Sequence, residues 1–275
     1  MPRYLLPLLL VLTSSALNAD SLWLVQASSR GYLTPCEHVS WETDTIFFNR
    51  GTETASVSFS GTSNGPAEEP LQLTSFEIPP GRTASLMRMT GRSWAPRSNE
   101  PLWVTEVDVT GDVEVKDGLV IGTDPYSAGC ARISGAPIEN RGRTAYPVVR
   151  QLAPPNEVQV HLGTYLGAAT PSRLNVGIYN GASVPANAAI YVRRDCDESV
   201  VASRFTTVPA NAIVQIPVFS GFAPTERCPA FQSGRLGGAL GGLYTVVTVD
   251  QPSFSYVANV IEGQAPIAGI VISPP

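Results

Sequence analysis

Apolar and polar positions alternate in short runs along most of this chain. Ala55-Ser-Val-Ser-Phe59, Val104-Thr-Glu-Val-Asp-Val-Thr110 and Tyr244-Thr-Val-Val-Thr-Val249 repeat every second position or are rich in β-branched residues. That is the pattern of a strand with one face on a core. Few segments carry the 3.6-residue period of a helix. The 24 glycines and 24 prolines stand between apolar runs and are not gathered in one tract. Short strands with many turns, and hence an all-β class, are predicted.

The same order of strand and turn occurs twice. Ile46-Phe-Phe-Asn-Arg-Gly51 matches Val176-Gly-Ile-Tyr-Asn-Gly181, so Asn49 and Asn180 each end an apolar strand with glycine close behind. A polar turn and a strand follow, Ala55 to Ser60 in one place and Ala188 to Arg193 in the other. Phe76–Leu86 then matches Phe205–Gln215, Trp103–Val109 matches Tyr244–Asp250, and Pro125–Gly129 matches Ala265–Gly269. Matches kept in order, at spacings of about 129 to 141 residues, predict an internal duplication with loop insertions. Gly135–Thr144 carries turn residues and no strand pattern, which places the boundary after Ser134. The expected layout is a leader over 1–19, a β-sandwich over 20–135, a linker over 136–144 and a second β-sandwich over 145–275.

Each copy holds seven or eight candidate strands, the count and spacing of an immunoglobulin-like sandwich. On this strand pattern, and on its Asn-Gly, Pro-Pro-Gly and Pro-Ala-Asn turns, the chain resembles the immunoglobulin-like modules of bacterial exported and cell-surface proteins. The resemblance covers almost all of the mature chain. It implies two tandem immunoglobulin-like β-sandwich domains and little about activity. The antibody signature of cysteine and tryptophan does not fit, because Trp41 follows Cys36 too closely.

The first residues bear on compartment. Arg3 is the only early charge, an apolar run extends from Leu5 to Leu12, and small and polar residues fill Thr13 to Ala19. This is the layout of a secretory signal peptide, too short to span a bilayer, with cleavage expected after Ala16 or Ala19. Export to the periplasm or the extracellular space is expected, with no transmembrane segment after cleavage. The formal charge of −5 becomes −6 once Arg3 is removed. With the arginines scattered and Lys116 the sole lysine, a nucleic-acid partner is not expected.

Four cysteines in an exported chain favour disulfides over metal or redox roles. No Cys-x-x-Cys occurs, and His38 and His161 build no zinc pattern with them. The duplicated architecture favours one bridge within each copy, Cys36 with Cys130 and Cys196 with Cys228. Each closure is worth about 3 to 5 kcal/mol in the chain-entropy model.

Candidate chemistry is sparse. Ser-His-acid catalysis has only His38 and His161 to draw on, and no Gly-x-Ser-x-Gly is present. His38, near Glu37, Glu42 and Asp44, reads as a strand with a solvated acidic face. Asp195-Cys-Asp197-Glu198 gathers three carboxylates but lacks the glycine and later ligand of a calcium loop, and reads as a hairpin turn after Arg193 and Arg194. Gly234–Gly242 has no Lys-Ser or Lys-Thr behind it and leads into a strand, so it reads as a loop and not a phosphate cradle. Trp23, Trp41 and Trp103 sit in strand-like context. Trp94, flanked by Arg92 and Arg97, lies in a long loop whose counterpart in the second copy carries Phe222 and Phe231. Aromatic loops on a rigid sandwich are candidate binding sites for a protein or glycan. The expectation is a non-enzymatic exported binding or structural protein without cofactor or metal. A carbohydrate-binding or adhesive module using the Trp94 loop is the first alternative, and an uncharacterised hydrolase the second.

Overall fold

A computed structural model describes residues 19–34, 37–62, 75–86, 102–124, 139–163, 172–194, 197–221, 243–261 and 267–268. Their helices and strands are all strands, as the two-residue period predicts. The first half contains β1 (Asp20–Thr34), β2 (Glu37–Asn49), β3 (Ala55–Thr62), β4 (Ser75–Ile78), β5 (Thr83–Leu86), β6 (Leu102–Thr110), β7 (Val113–Asp124), β8 (Glu139–Tyr146) and β9 (Val148–Val149). The second contains β10 (Val158–Gly163), β11 (Ser172–Asn180), β12 (Ala186–Arg194), β13 (Val200–Val208), β14 (Ala212–Gly221), β15 (Leu243–Val249), β16 (Ser253–Ile261) and β17 (Ile267–Ala268).

Pairing order is the same in both halves. One sheet runs β1-β6-β3-β4 in the first half and β10-β15-β12-β13 in the second; the facing sheet runs β5-β2-β7-β8 and β14-β11-β16-β17. The first half differs in that β1 serves both sheets. Asp20–Ala27 pairs with β6 and Ser28–Thr34 with β2, which joins the two sheets into one. Alternate side chains from the facing sheets meet between them. Leu22, Leu24, Val57, Phe59, Val107 and Val109 pack with Phe47, Val113 and Val115 in the first half. Ile190, Val192, Val247 and Val249 pack with Val176, Ile178, Val218 and Val257 in the second. Burying one such side chain contributes roughly 1.5–3 kcal/mol, so these clusters outweigh any single polar contact.

The ladders correct several sequence expectations. Gly135–Thr144 was expected to hold no strand, yet Glu139–Tyr146 forms β8 and pairs with β7. Its polar, arginine-containing sequence suits the outermost strand of a sheet, where charge discourages further pairing. In an immunoglobulin sandwich the seventh strand lies beside the sixth. Here the seventh strand of each half, β7 or β16, lies beside the second, and the first lies beside the sixth. The second–fifth and third–sixth pairs are common to both layouts. Finally, Ala268 of β17 pairs with Ala258 as Ala145 of β8 pairs with Gly118, so β17 takes the place of β8, while Pro125–Gly129, matched to it in the sequence, lies outside the described residues.

A third apolar cluster lies between the halves. Val25, Leu102, Val104 and Val149 on the outer face of the first half meet Tyr179, Ile213, Phe254, Tyr256 and Ala258 on the outer face of β14-β11-β16. This explains why β6 is buried on both faces from Leu102 to Thr105. Gly177 faces Tyr256 across the β11–β16 ladder, and a Cβ there would overlap the tyrosine ring. The bare glycine lets that ring lie flat over β11 and meet Tyr146 edge-on at 5.8 Å between centroids.

Both matched asparagines are fully buried and make the same bonds. Asn49 Nδ2 donates to the carbonyls of Glu53 (2.7 Å) and Ile78 (2.8 Å), and its Oδ1 accepts from Gly51 N–H. Asn180 Nδ2 donates to Val184 (2.8 Å) and is shared between Val208 (3.3 Å), the counterpart of Ile78, and Pro209 (3.0 Å), and its Oδ1 accepts from Ala182 N–H. Only an amide offers two donors and an acceptor on so short a stem. Each one ties the turn behind its strand to the turn after β4 or β13. Gly81 and Asn211 stand at matching places in those turns, with φ of +66° and +46°, where glycine and asparagine are tolerated best. Replacing Asn49 or Asn180 by Ala strands buried carbonyls, and each change is expected to lower the unfolding free energy by about 2–4 kcal/mol in urea titrations. Losses under about 1 kcal/mol at both positions would show the clamps to be dispensable.

Candidate functional site

Several residues singled out in the sequence lie outside the described residues: Cys36, Cys130, Cys196, Cys228, Arg92, Trp94, Arg97, Phe222, Phe231 and the Gly234–Gly242 stretch. His38 and Trp41 are placed by their backbone in β2, where His38 pairs with Asp124. Trp103 is buried in β6, and Trp23 packs on the cluster between the halves. Asp197 is engaged in the β12–β13 turn: its Oδ1 accepts from Ser199 N–H, and Arg194 bridges Oδ2 at 3.0 Å. The hydrogen bonds to Ser199 and the neighbouring Arg194 hold its carboxyl below the usual range. Among the described residues no three His, Cys, Asp or Glu side chains gather as metal ligands, and no helix is long and apolar enough to cross a membrane.

The second half carries a polar cluster inside its core. Gln159 and His161 of β10 point inward, where His161 Nε2 lies 2.7 Å from Ser255 Oγ. Ser255 Oγ donates to Gln159 Oε1 (2.7 Å), and Gln159 Nε2 donates to Ser253 Oγ (3.2 Å). Because the Ser255 proton goes to Gln159, the consistent tautomer has His161 donating from Nε2. Its Nδ1 then has no partner among the described residues. The ladder registers set Gln159, His161, Ser253 and Ser255 where the first half has Leu22, Leu24, Val113 and Val115. The four polar residues therefore replace four apolar ones as a group. A Ser-His pair at this distance has the geometry of an activated nucleophile, but among the described residues no acid orients Nδ1, and both side chains are buried. Burial pushes the His161 pKa down to about 4, so the ring is neutral at physiological pH.

In the first half, Gln26, Thr45 and Asp117 meet inside the sandwich. Thr45 Oγ1 donates to Asp117 Oδ1 at 2.7 Å, with Gln26 Nε2 at 3.4 Å from the same oxygen. Burial pushes Asp117 up to about 8 against the opposing pull of the hydrogen bonds from Thr45, Gly118 and Gln26. Desolvation, and secondarily the charge on Asp117, raises Tyr146 well above its ordinary range.

The accessible feature is the outer face of β10-β15-β12-β13. Val158, Val160 and Phe205 are exposed on it, Phe205 to 71%. Tyr191 meets Phe205 edge-on at 5.8 Å, and the Arg193 guanidinium lies 5.9 Å from the Tyr191 ring centre. At one end a groove of about 430 Å³ runs past Asn187, Phe205, Thr207, Thr248 and Asp250. Asp250 there accepts from both the backbone and the side-chain amide of Asn187. The face exists because β10 is inside out: in Val158-Gln-Val-His161 the valines take the solvent side and the polar pair the core side. Alternation along a sequence marks a strand but not which of its two sets of side chains is buried. The usable signal was the coordinated change from apolar to polar at four matched positions. Comparisons with family models, with curated proteins and with solved structures find no match for this chain.

The two buried titrating groups pull stability in opposite directions with pH. Asp117 holds its proton more tightly folded than unfolded, so its contribution declines as pH rises from 3.8 to about 8. His161 refuses a proton that the unfolded chain accepts, so its contribution declines as pH falls from 6.5 to about 4. From about 4 to 6.5 the slopes oppose, and above 6.5 that of Asp117 stands alone. Asp117→Asn is expected to abolish the decline between pH 6.5 and 8 and to unmask one below 6.5. Urea midpoints across pH check this, and equal slopes in the variant and the parent would contradict it.

Proposed function

We propose that this chain is a non-enzymatic, exported binding or structural protein, built by duplication of one Greek-key β-sandwich, whose working surface is the outer face of β10-β15-β12-β13. The observation that carries the reading is the inverted strand β10, which turns two valines to solvent while a glutamine and a histidine are buried. An exposed apolar, aromatic patch of this kind marks a place where something docks. Repeated pairing order, matched asparagine clamps and matched left-handed turn residues support the duplication. The second–fifth and third–sixth strand pairs support a relation to immunoglobulin-like modules at the level of the central strands alone. The leader-like residues 1–19 support export to the periplasm or beyond. The sealed position of the Ser255–His161 pair favours a structural role for it over hydrolysis.

A glycan is the second reading, favoured by the exposed Phe205 ring beside the amide and carboxylate of Asn187 and Asp250 in the groove. An aromatic face with adjacent hydrogen-bonding groups suits a sugar ring. The Trp94 loop of the first half remains the sequence-based alternative for the same class of ligand.

A photo-crosslinking amino acid at Val160 in the native host is expected to give discrete adducts that the same probe at Glu53, exposed on a turn of the first half, does not give. Equal labelling at both positions, or none, would remove the face as the working surface.

A further inference from the structure

We propose that the face of β10-β15-β12-β13 receives a second copy of this chain, which docks through the outer face of its own β5-β2-β7 strands, so that copies stack head to tail. This rests on that face being the working surface and adds the identity of its partner.

The contact between the two halves supplies the template. In the first half the β1-β6 part of the corresponding face, with Val149 of β9, is already covered, and what covers it is the β14-β11-β16 face of the second half. One member of each corresponding pair is thus used within the chain, and one is left over. The leftover faces are β10-β15-β12-β13 at one end and β5-β2-β7 at the other.

Ladder registers show how well the leftover faces match the used ones. Trp23 lies opposite Glu106 and Val160 opposite Val246, while Val25 lies opposite Val104 and Leu162 opposite Tyr244. Val160 and Tyr244 therefore take the places of Trp23 and Val104 on the receiving face. On the docking face, Phe48 lies opposite Glu114 as Tyr179 lies opposite Phe254, and Ile46 opposite Lys116 as Gly177 lies opposite Tyr256. Phe48 is 36% exposed where Tyr179 is 5% exposed, and Ile46 is 41% exposed. The receiving face thus keeps apolar side chains at two of the matched positions, Val160 and Tyr244, and the docking face keeps one, Phe48, with Ile46 added where the internal contact has Gly177.

The docking face is not a full replica. Thr83, Glu114, Lys116 and Gly118 replace Ile213, Phe254, Tyr256 and Ala258, and the two charges meet each other at 3.2 Å. Less apolar area is available than within one chain, so the contact between copies is the weaker and reversible one. A contact between two different faces does not close on itself by two-fold symmetry and generates open stacks.

Sedimentation of the purified full chain over a concentration series tests this. The average mass of the parent is expected to rise past that of a dimer without a plateau there. Phe48→Glu and Val160→Glu alter exposed side chains on opposite faces, and each is expected to weaken self-association roughly tenfold or more. An equimolar mixture of the two variants is expected to recover dimers and nothing larger, because each retains one intact face; this recovery also shows that both are folded. A parent that stays monomeric overturns the proposal. So does a mass that plateaus at the dimer and ignores Phe48→Glu, which would mean two copies joined through β10-β15-β12-β13 alone. A monomeric parent that still gives adducts at Val160 with another molecule removes only the self-partner, whereas a monomeric parent without adducts removes the working surface as well.

Discussion

Each sandwich depends on a buried side-chain amide at the end of its second strand. Asn49 and Asn180 sit where the backbone leaves the sheet on both sides, and both turns present carbonyls that no ladder can satisfy. An unpaired carbonyl in that position costs about 1–3 kcal/mol, and one asparagine answers two of them while its own oxygen caps the next turn. With the turn ends fixed, the spacing from β2 to β3 and from β4 to β5 follows, and so does which side of each strand faces inward. A slip by one residue would exchange the two faces of a strand throughout its length. The clamps therefore bear on which side chains of the strands they join are buried.

Much of this was legible in the sequence, because two-residue alternation and a glycine-flanked asparagine are local signals. Asn49 and Asn180 were matched from sequence, and the structure gives them the same bonds. The second and third matches each needed a shift of one residue: Ile78 pairs with Ala55 as Val208 pairs with Ala186, so that Pro79 corresponds to Pro209, and Val109 pairs with Val57 as Val249 pairs with Ala188, so that Val104 corresponds to Tyr244. Strand order was not legible, because counting strands says nothing about whether the seventh lies beside the second or the sixth. β8 was missed because Glu139-Asn-Arg-Gly-Arg-Thr144 carries no apolar period; an edge strand held by one neighbour needs none. The polar core cluster joins β10 to β16 across more than 90 residues of chain, and no local window brings those side chains together. The stretch around Trp94, a candidate binding site in the sequence, lies outside the described residues, and the face around Phe205 was not anticipated.

Polar groups occupy the core of both halves but solve different problems. In the first half a carboxyl is held neutral by burial and accepts from Thr45. In the second a neutral imidazole heads a chain of hydroxyl and amide groups with one consistent proton order. Neither cluster reaches solvent, so neither is placed to act on an external molecule. Their effect is on register: a strand carrying Gln159 and His161 has only one inward-facing alignment in which both find partners. Specificity of alignment is gained there at the expense of burying apolar surface.

The double service of β1 also bears on the order in which the halves can form. Thr34 and Glu37 begin a hairpin within a few residues of each other, so the first half has a local seed that closes with little loss of chain entropy. β10 has no such neighbour; its partners on β15 lie 80 to 90 residues later in the chain. Contacts of that separation form late and slowly. A chain emerging from its amino end can close its first hairpin early, while the strand bearing the inverted pattern waits unpaired until nearly all the rest has appeared.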